Sequence, residues 1–410
     1  MTTVPPLRAV EVIGLGMNPA ELSAGALALV QDAQVLAGGA RLLEYFPKHP
    51  GRRIVLAAPL AKALDAVAKA RVEGLSVAVL ADGDPLFYGI GKRLLELLGP
   101  DALRFHPGIS AVQAAASRIG RSLQDTPVVS LHGRSGIGPL LAALARRGEA
   151  AVYTDLANSP DRIALVLLEQ GMDSARMWVL EDLGSPFEKV RQLTVAQASR
   201  ETFSALNLVV ITLEGQNRPI PVLGRPDEFY RRREWLITKW PVRACSLAAL
   251  RLRPTDTLWD VGAGCGSVGI EACALLPYGR VYAVERNHDR GEAIRENIRL
   301  AGAWQVRLVR GEAPEVLSGL PDPDRIFVGG GFGKGLSLLP VLCGALQPGG
   351  RLVANVVLLS GVQRLLEALA SMGWHREITQ AQASCSTPLA GDLRLRAHNP
   401  VFIIAADKPL

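Results

Sequence analysis

Aromatic side chains are scarce, only 5% of 410 residues. That is thin for a protein that stacks successive bases of a single-stranded nucleic acid on ring faces. Cysteine is also sparse. Cys245, Cys265, Cys273, Cys343 and Cys385 are odd in number and contain no C-x-x-C pair. This spacing argues against a disulfide framework and a zinc site, and it fits a reducing compartment. No apolar run reaches the length of about 18 residues that a membrane span requires. Met1 to Arg8 lacks a basic region followed by a long apolar core, so no signal peptide is expected. The six histidines are scattered, and no metal-ligand cluster is visible. A cytoplasmic protein with no membrane partner and no metal is expected.

The composition is otherwise that of a globular chain, with 49% apolar and 20% charged residues. The length exceeds one ordinary core and predicts two domains. The net charge of +6 is spread out apart from Arg231-Arg232-Arg233, which reads as a solvated face or the start of a linker helix. A basic surface suits a small substrate with several carboxylates as well as it suits nucleic acid.

Short apolar runs alternate with amphipathic stretches over the first ~210 residues, an α/β pattern with loops at the carboxyl ends of strands. Strands are predicted at 7–13, 76–81, 127–131, 150–153, 178–180 and 206–213, with helices at 21–31, 91–98 and 111–119. Pro107-Gly-Ile-Ser110 supplies a turn and an N-cap for the last helix. The run 214–226 holds three prolines and two glycines without periodicity, so it reads as a linker. The expected organisation is a first domain at 1–213, a linker at 214–229 and a second domain at 230–410. In the second, strands at 257–261, 280–285, 305–310, 324–329 and 351–357 alternate with helices, which implies a mostly parallel sheet.

Leu258-Trp-Asp-Val-Gly262 is a buried strand that turns through Gly262-Ala263-Gly264-Cys265-Gly266 directly into a helix. Glycines there let the backbone bend sharply and let a ligand approach closely. Glu285 ends the next strand, where a carboxylate can accept from both hydroxyls of an adenosine ribose. Asp260 ahead of the loop suits a ligand bearing a sulfonium and an amino group better than a pyrophosphate. Glu312, or a backbone N–H beside it, ends a third strand where adenine would lie. Singly, Glu285 and Glu312 read equally well as solvated strand-end carboxylates. Together they point to S-adenosylmethionine.

Ile237-Thr-Lys-Trp-Pro-Val-Arg-Ala244, Trp259 to Glu271, Gly311-Glu-Ala-Pro-Glu315 and Val328-Gly-Gly-Gly-Phe-Gly333 resemble the decarboxylating carbon-15 methyltransferases of cobalamin synthesis. The resemblance implies a Rossmann-like class I fold with Thr238, Gly262 to Gly266, Glu285 and Ala313 at the cofactor. The loop Gly329–Gly333 stands where amino-directed methyltransferases carry Asn/Asp-Pro-Pro-Tyr, and a carbon nucleophile does not need that motif.

In the first half, Val12-Ile-Gly14-Leu-Gly16-Met17, Leu80-Ala-Asp82-Gly83-Asp84-Pro-Leu-Phe87 and His106-Pro-Gly-Ile-Ser110-Ala111 are each weak signals. Gly-Leu-Gly could be an ordinary strand-to-helix turn, and Asp-Gly-Asp-Pro an ordinary type I turn. In this order they resemble the tetrapyrrole methylase family, whose fold has two α/β subdomains. The resemblance implies that Gly14, Gly16, Met17, Asp82, Gly83, Asp84, Phe87, Ser110 and Ala111 line a second S-adenosylmethionine site. Met17-Asn18 departs from the family's Pro-Gly. Val128 to Arg134, Thr154 to Pro160 and Glu181 to Pro186 look like its carbon-5 branch.

The two resemblances run in the order of a fused family that methylates precorrin-6Y/6B at carbons 5 and 15. It also removes carbon dioxide from the carbon-12 acetate, giving precorrin-8. A tetrapyrrole substrate, no nucleic acid and a homo-oligomer are implied. His132, Lys239, Arg243 and Lys334 are candidates for substrate contact, each set against a structural or surface role, and no residue identifies itself as the decarboxylation acid. Two alternatives remain in view: a nucleic-acid methyltransferase, favoured by the basic charge, and a cofactor-sensing protein without catalysis.

Overall fold

The computed structural model describes residues 7–133, 136–214, 219–233, 237–330, 332 and 336–410. By contacts the chain divides into two compact units. One comprises Met1–Gly133, Ala151–Ala164 and Arg176–Ile211; the other comprises Arg134–Ala150, Leu165–Ala175 and Thr212–Leu410. The second unit thus takes in two stretches before residue 176.

In the first unit, β1 (Val10–Gly14), β2 (Val35–Gly38), β3 (Arg52–Val55), β4 (Val77–Ala81) and β5 (Leu103–His106) form a sheet of order β3-β2-β4-β1-β5. All four pairings are parallel. β1, β2 and β4 are buried almost throughout, as central strands covered on both faces must be. β2 and β3 have no counterpart among the predicted strands: four residues each are too short to set up a visible period of two. The helix predicted from residue 21 begins instead at Ala24, where Ser23 accepts from the Ala26 N–H. Ser110 caps Ala111–Ile119 through a capping box with Gln113.

A second sheet has the order β6-β7-β10-β8-β9, made of β6 (Val128–Ser130), β7 (Glu149–Tyr153), β8 (Ala175–Glu181), β9 (Lys189–Thr194) and β10 (Asn207–Leu213). The C-terminal strands are β11 (Thr257–Val261), β12 (Arg280–Glu285), β13 (Val306–Arg310), β14 (Arg325–Val328), β15 (Arg351–Val356), β16 (His375–Ala381), β17 (Ser384–Leu389), β18 (Asp392–Ala397) and β19 (Val401–Asp407). Seven form a sheet ordered β13-β12-β11-β14-β15-β19-β16, with β17 and β18 as a separate hairpin. The first five strands are mutually parallel and β19 is antiparallel to both its neighbours. This is the class I methyltransferase order, and it reverses direction between β11 and β14, the crevice where such sheets take ligands.

Close backbone contact fixes the loops of the first unit. A Cβ on Gly108 would stand 2.5 Å from the Gly83 carbonyl, 2.7 Å from the Gly16 nitrogen and 2.8 Å from the Gly14 carbonyl. No side chain fits there. Gly108→Ala should therefore cost about 1–3 kcal/mol. Gly25→Ala, in open space on a helix, should stabilise by up to about 1 kcal/mol. Thermal or urea unfolding checks both, and equal effects of the two would contradict the packing argument.

Candidate functional site

In the C-terminal unit the glycine loop leaves β11 with its polar atoms already partnered. The Gly262 and Ala263 N–H groups both donate to the Val284 carbonyl at 3.0 Å, and Gly266 N–H donates to the Ala263 carbonyl at 2.8 Å. Gly264 N–H donates to Glu285 Oε2 at 2.9 Å, and Asn287 N–H donates to Glu285 Oε1 at 2.9 Å. Each carboxylate oxygen thus holds one N–H and keeps acceptor capacity for one more. A Cβ at Gly264 would meet nothing within 4 Å among the described residues, which leave space beside the loop. Gly329, at the end of β14, donates to the Val261 carbonyl at 3.1 Å and lies against Gly262. Gly262, Gly264, Glu285 and Gly329 thus lie together at the ends of β11, β12 and β14. Gly331, Gly333 and the candidate Lys334 lie outside the described residues.

Asp260 is bonded to the helix that follows the loop. It is buried within β11, and its Oδ2 accepts from the Gly269 N–H at 3.0 Å. Its Oδ1 has no partner among the described residues. Burial first, with the Glu285 charge adding, pushes its carboxyl up to about 7. Glu312 is exposed and pairs with Arg286 at 2.7 Å, so an adenine contact would have to compete with that ion pair. Ala313 is half-buried against the core of this unit. Cys265 is buried, and burial raises its thiol.

Arg243 is a correction. Expected as a substrate contact, it is fully buried and cannot reach one. Its Nε donates to Glu271 Oε1 at 2.7 Å, and its Nη1 donates to the Thr238 carbonyl at 2.6 Å and to Asp227 Oδ1 at 3.3 Å. Nη2 donates to the Arg225 carbonyl at 2.5 Å. Glu271 is itself buried and accepts from the Tyr230 hydroxyl at 3.0 Å and the Gly224 N–H at 2.9 Å. A guanidinium presents its donors in a fixed planar fork, and here the fork is filled by protein acceptors. The network ties Thr238 to Ser267–Ala272, the helix that opens on the glycine loop. Lys239 remains half-buried, 3.3 Å from Asp227.

In the first unit, Gly16 and Gly83 form an isolated bridge, and Gly83 N–H donates to the Gly16 carbonyl at 3.1 Å. Gly14, Gly16, Gly83 and Ser110 are therefore brought together with Gly108. Met17 N–H donates to Glu21 Oε2 at 3.2 Å, and Asn18 reaches the Gly184 carbonyl at 3.0 Å while capping Pro19–Glu21. The departure at Met17-Asn18 thus links this loop to the turn after β8. Asp82 is exposed and ion-paired with Arg41, and Asp84 Oδ1 accepts from the Leu86 N–H at 2.8 Å. Ala111 starts the helix that Ser110 caps. Phe87 is exposed beside two rings that sequence reasoning did not single out, Tyr88 at 5.1 Å and Tyr153 at 6.5 Å. Burial pushes Tyr153 up to about 12, and its hydroxyl meets the backbone of Val112. Tyr88 donates to the Val128 carbonyl at 2.8 Å, joining the loop after β4 to β6. His132 is exposed in the turn after β6, where the neighbouring Gly133 N–H donates to Asp155 at 2.7 Å.

Two outcomes are expected. An acid raised from 3.8 to about 7 contributes stability that is complete below about pH 4 and lost as pH rises through about 7. Asp260→Asn keeps the acceptor for Gly269 and should remove that loss, so its melting temperature should gain on the parent between about pH 4 and 7. Parallel curves would refute the assignment. Arg243→Leu leaves Glu271 buried and unpaired and should cost about 3–5 kcal/mol, with part regained when Glu271→Leu is added. Chemical unfolding of the two single variants and the double variant measures the coupling.

Residues 9–199 match the family model described as Tetrapyrrole (Corrin/Porphyrin) Methylases, and 229–408 match the Precorrin methyltransferase domain. A Sinorhizobium protein named precorrin-6Y C(5,15)-methyltransferase [decarboxylating] is 35% identical over 368 residues, 88% of each chain. A Pyrobaculum calidifontis protein named probable cobalt-precorrin-6B C(15)-methyltransferase (decarboxylating) is 40% identical over 193 residues, 46% of this chain and 97% of that one. A solved structure described as precorrin-6y C5,15-methyltransferase from Geobacter metallireducens is 39% identical, with a TM-score of 0.44, and covers 46% of this chain and 98% of its own. With one relative this similar along most of both lengths and both halves matched in order, the chain belongs to the precorrin-6Y C(5,15)-methyltransferase (decarboxylating) family.

Proposed function

We infer that the chain uses S-adenosylmethionine to methylate a precorrin at carbons 5 and 15 and removes carbon dioxide from the carbon-12 acetate. Family membership supports the reaction. The observation that supports the cofactor in the C-terminal unit is Glu285, whose two oxygens each retain capacity to accept one hydroxyl of a ribose at the edge of an open glycine loop. When bound, S-adenosylmethionine supplies an electrophilic methyl on a sulfonium. The residues that would hold it are Glu285, the Gly262–Gly266 backbone and Thr238. The protein contributes position and exclusion of water more than proton transfer, because the leaving group departs neutral. An enamine-like meso carbon attacks without prior deprotonation, which agrees with the purely backbone lining at Gly329 and Gly330.

A second cofactor site is assigned to the first unit, around Gly14, Gly16, Gly83, Asp84 and Ser110. Its support is the three-loop contact of Gly14, Gly83 and Gly108 together with the match at 9–199. Carbon-5 methylation goes to residues 1–213, and carbon-15 methylation with decarboxylation goes to 230–410. The same reading carries a small tetrapyrrole substrate with no nucleic-acid partner, a cytoplasmic location and a homo-oligomer. Among the described residues no helix is long and apolar enough to cross a membrane.

The test is incubation with labelled S-adenosylmethionine and a reduced precorrin, followed by mass analysis of the product and of released carbon dioxide. Two methyl groups gained and one carbon dioxide lost are expected. Glu285→Ala should abolish carbon-15 methylation and decarboxylation and spare carbon 5, and Asp84→Ala should do the converse. Cofactor binding without any transfer would sink the reading. Loss of both methylations from either folded variant would overturn the separate assignment of the two sites.

A further inference from the structure

We propose that Asn297 is a positioning residue for the cofactor of the C-terminal unit, setting the orientation of the peptide after Cys265. The proposal rests on the cofactor reading above. Asn297 lies on the helix His288–Ala301 and has no exposed surface. A carboxamide buried this completely is costly unless its polar atoms are bonded. Its Oδ1 accepts from the Arg231 N–H at 2.7 Å, and its Nδ2 donates to the Arg231 carbonyl at 2.8 Å. That double contact is what a strand partner would make with one residue. Nδ2 also donates to the Cys265 carbonyl at 2.9 Å.

The last bond is the informative one. Within the loop the N–H groups of Gly262, Ala263, Gly264 and Gly266 are bonded to Val284, Glu285 and Ala263. The Cys265 carbonyl has its partner outside the loop and its flanking strands, in Asn297. The next residue, Gly266, has a φ of +79° and is the N-cap of Ser267–Ala272, so rotation of this peptide would re-aim both the loop and the helix start. Asn297 therefore holds the loop in its ligand-ready shape before any ligand arrives, which lowers the ordering cost of binding. The same amide fixes Arg231, in the segment that leads to Thr238.

Asn297→Asp keeps size and the acceptor for Arg231 but removes both donors and sets a carboxyl group against two carbonyl oxygens. Asn297→Ala removes the donors without adding charge and decides the question should the aspartate variant not fold. In the full-length protein, calorimetric titration with S-adenosylhomocysteine should show one of two site classes weakened about tenfold or more. The KM for S-adenosylmethionine in carbon-15 methylation should rise by a similar factor with kcat little changed, and carbon-5 methylation should be unaffected. A folded variant with a lower melting temperature but parental affinity and KM would overturn the proposal, because a purely structural amide predicts that result. Wild-type protein lacking a second class of sites would defeat the cofactor reading itself, and the proposal with it.

Discussion

A guanidinium without access to water organises the C-terminal unit. Arg243 is wholly buried, and an unpaired charge there would cost several kcal/mol. Its acceptors come from two carboxylates and from the carbonyls of Arg225 and Thr238. Gly224, Arg225, Tyr230 and Thr238 are thus bound through Arg243 and Glu271 to the helix that starts at the glycine loop. An ion pair this deep is a weak source of net stability compared with a well-packed apolar group of the same size. What it offers is geometry, since the planar fork accepts its partners in few arrangements. Tyr230, stacked 5.1 Å from the guanidinium and bonded to Glu271, closes the set.

Both units bring glycines of separate loops together at strand ends, on different folds. Glycine permits such close backbone approach because it has no Cβ. In the first unit three loops are in direct backbone contact at Gly14, Gly83 and Gly108. In the second, Gly329 rests on Gly262 at the point where the strand order reverses. Polar side chains then help set the shape of each loop: the exposed Glu21 bonds the Met17 N–H, while the buried Glu285 and Asn297 bond the Gly264 N–H and the Cys265 carbonyl.

Legibility in the sequence follows from range. The Gly262–Gly266 turn, the strand ending in Glu285 and the capped helix after Ser110 are local patterns, and each was readable from neighbours within one element. The strands as far as β15 and their mostly parallel arrangement were readable, because βαβ alternation holds there, whereas their spatial order comes from the structure. The antiparallel β16 and β19 and the hairpin between them follow no such rule, and the exposed, alternating character of β17 and β18 gives a weak period. Arg243 was misread because an arginine near a loop looks the same whether it faces solvent or a buried glutamate 28 residues away. Asn297 left one faint signal, an amide on the apolar side of an amphipathic helix. Tyr88, in a loop, and Tyr153, at the end of β7, left none, since a tyrosine in either place is ordinary.

Asp260 and Glu285 make the separation of roles concrete. They end adjacent parallel strands and differ only in depth. Asp260 sits one residue inside β11, where one oxygen holds Gly269 and the other holds nothing. Desolvation acts on it almost unopposed, and the neutral acid is favoured well above the ordinary range. Glu285 sits at the last position of β12 with a backbone N–H on each oxygen. Two anions on neighbouring strands would repel each other in a poorly hydrated site. The nearby Glu285 charge thus adds to burial in raising Asp260, whose bonded oxygen ties it to the helix after the loop. Glu285, at the strand end beside the glycine loop, is the carboxylate placed to reach a ligand in the proposed reading.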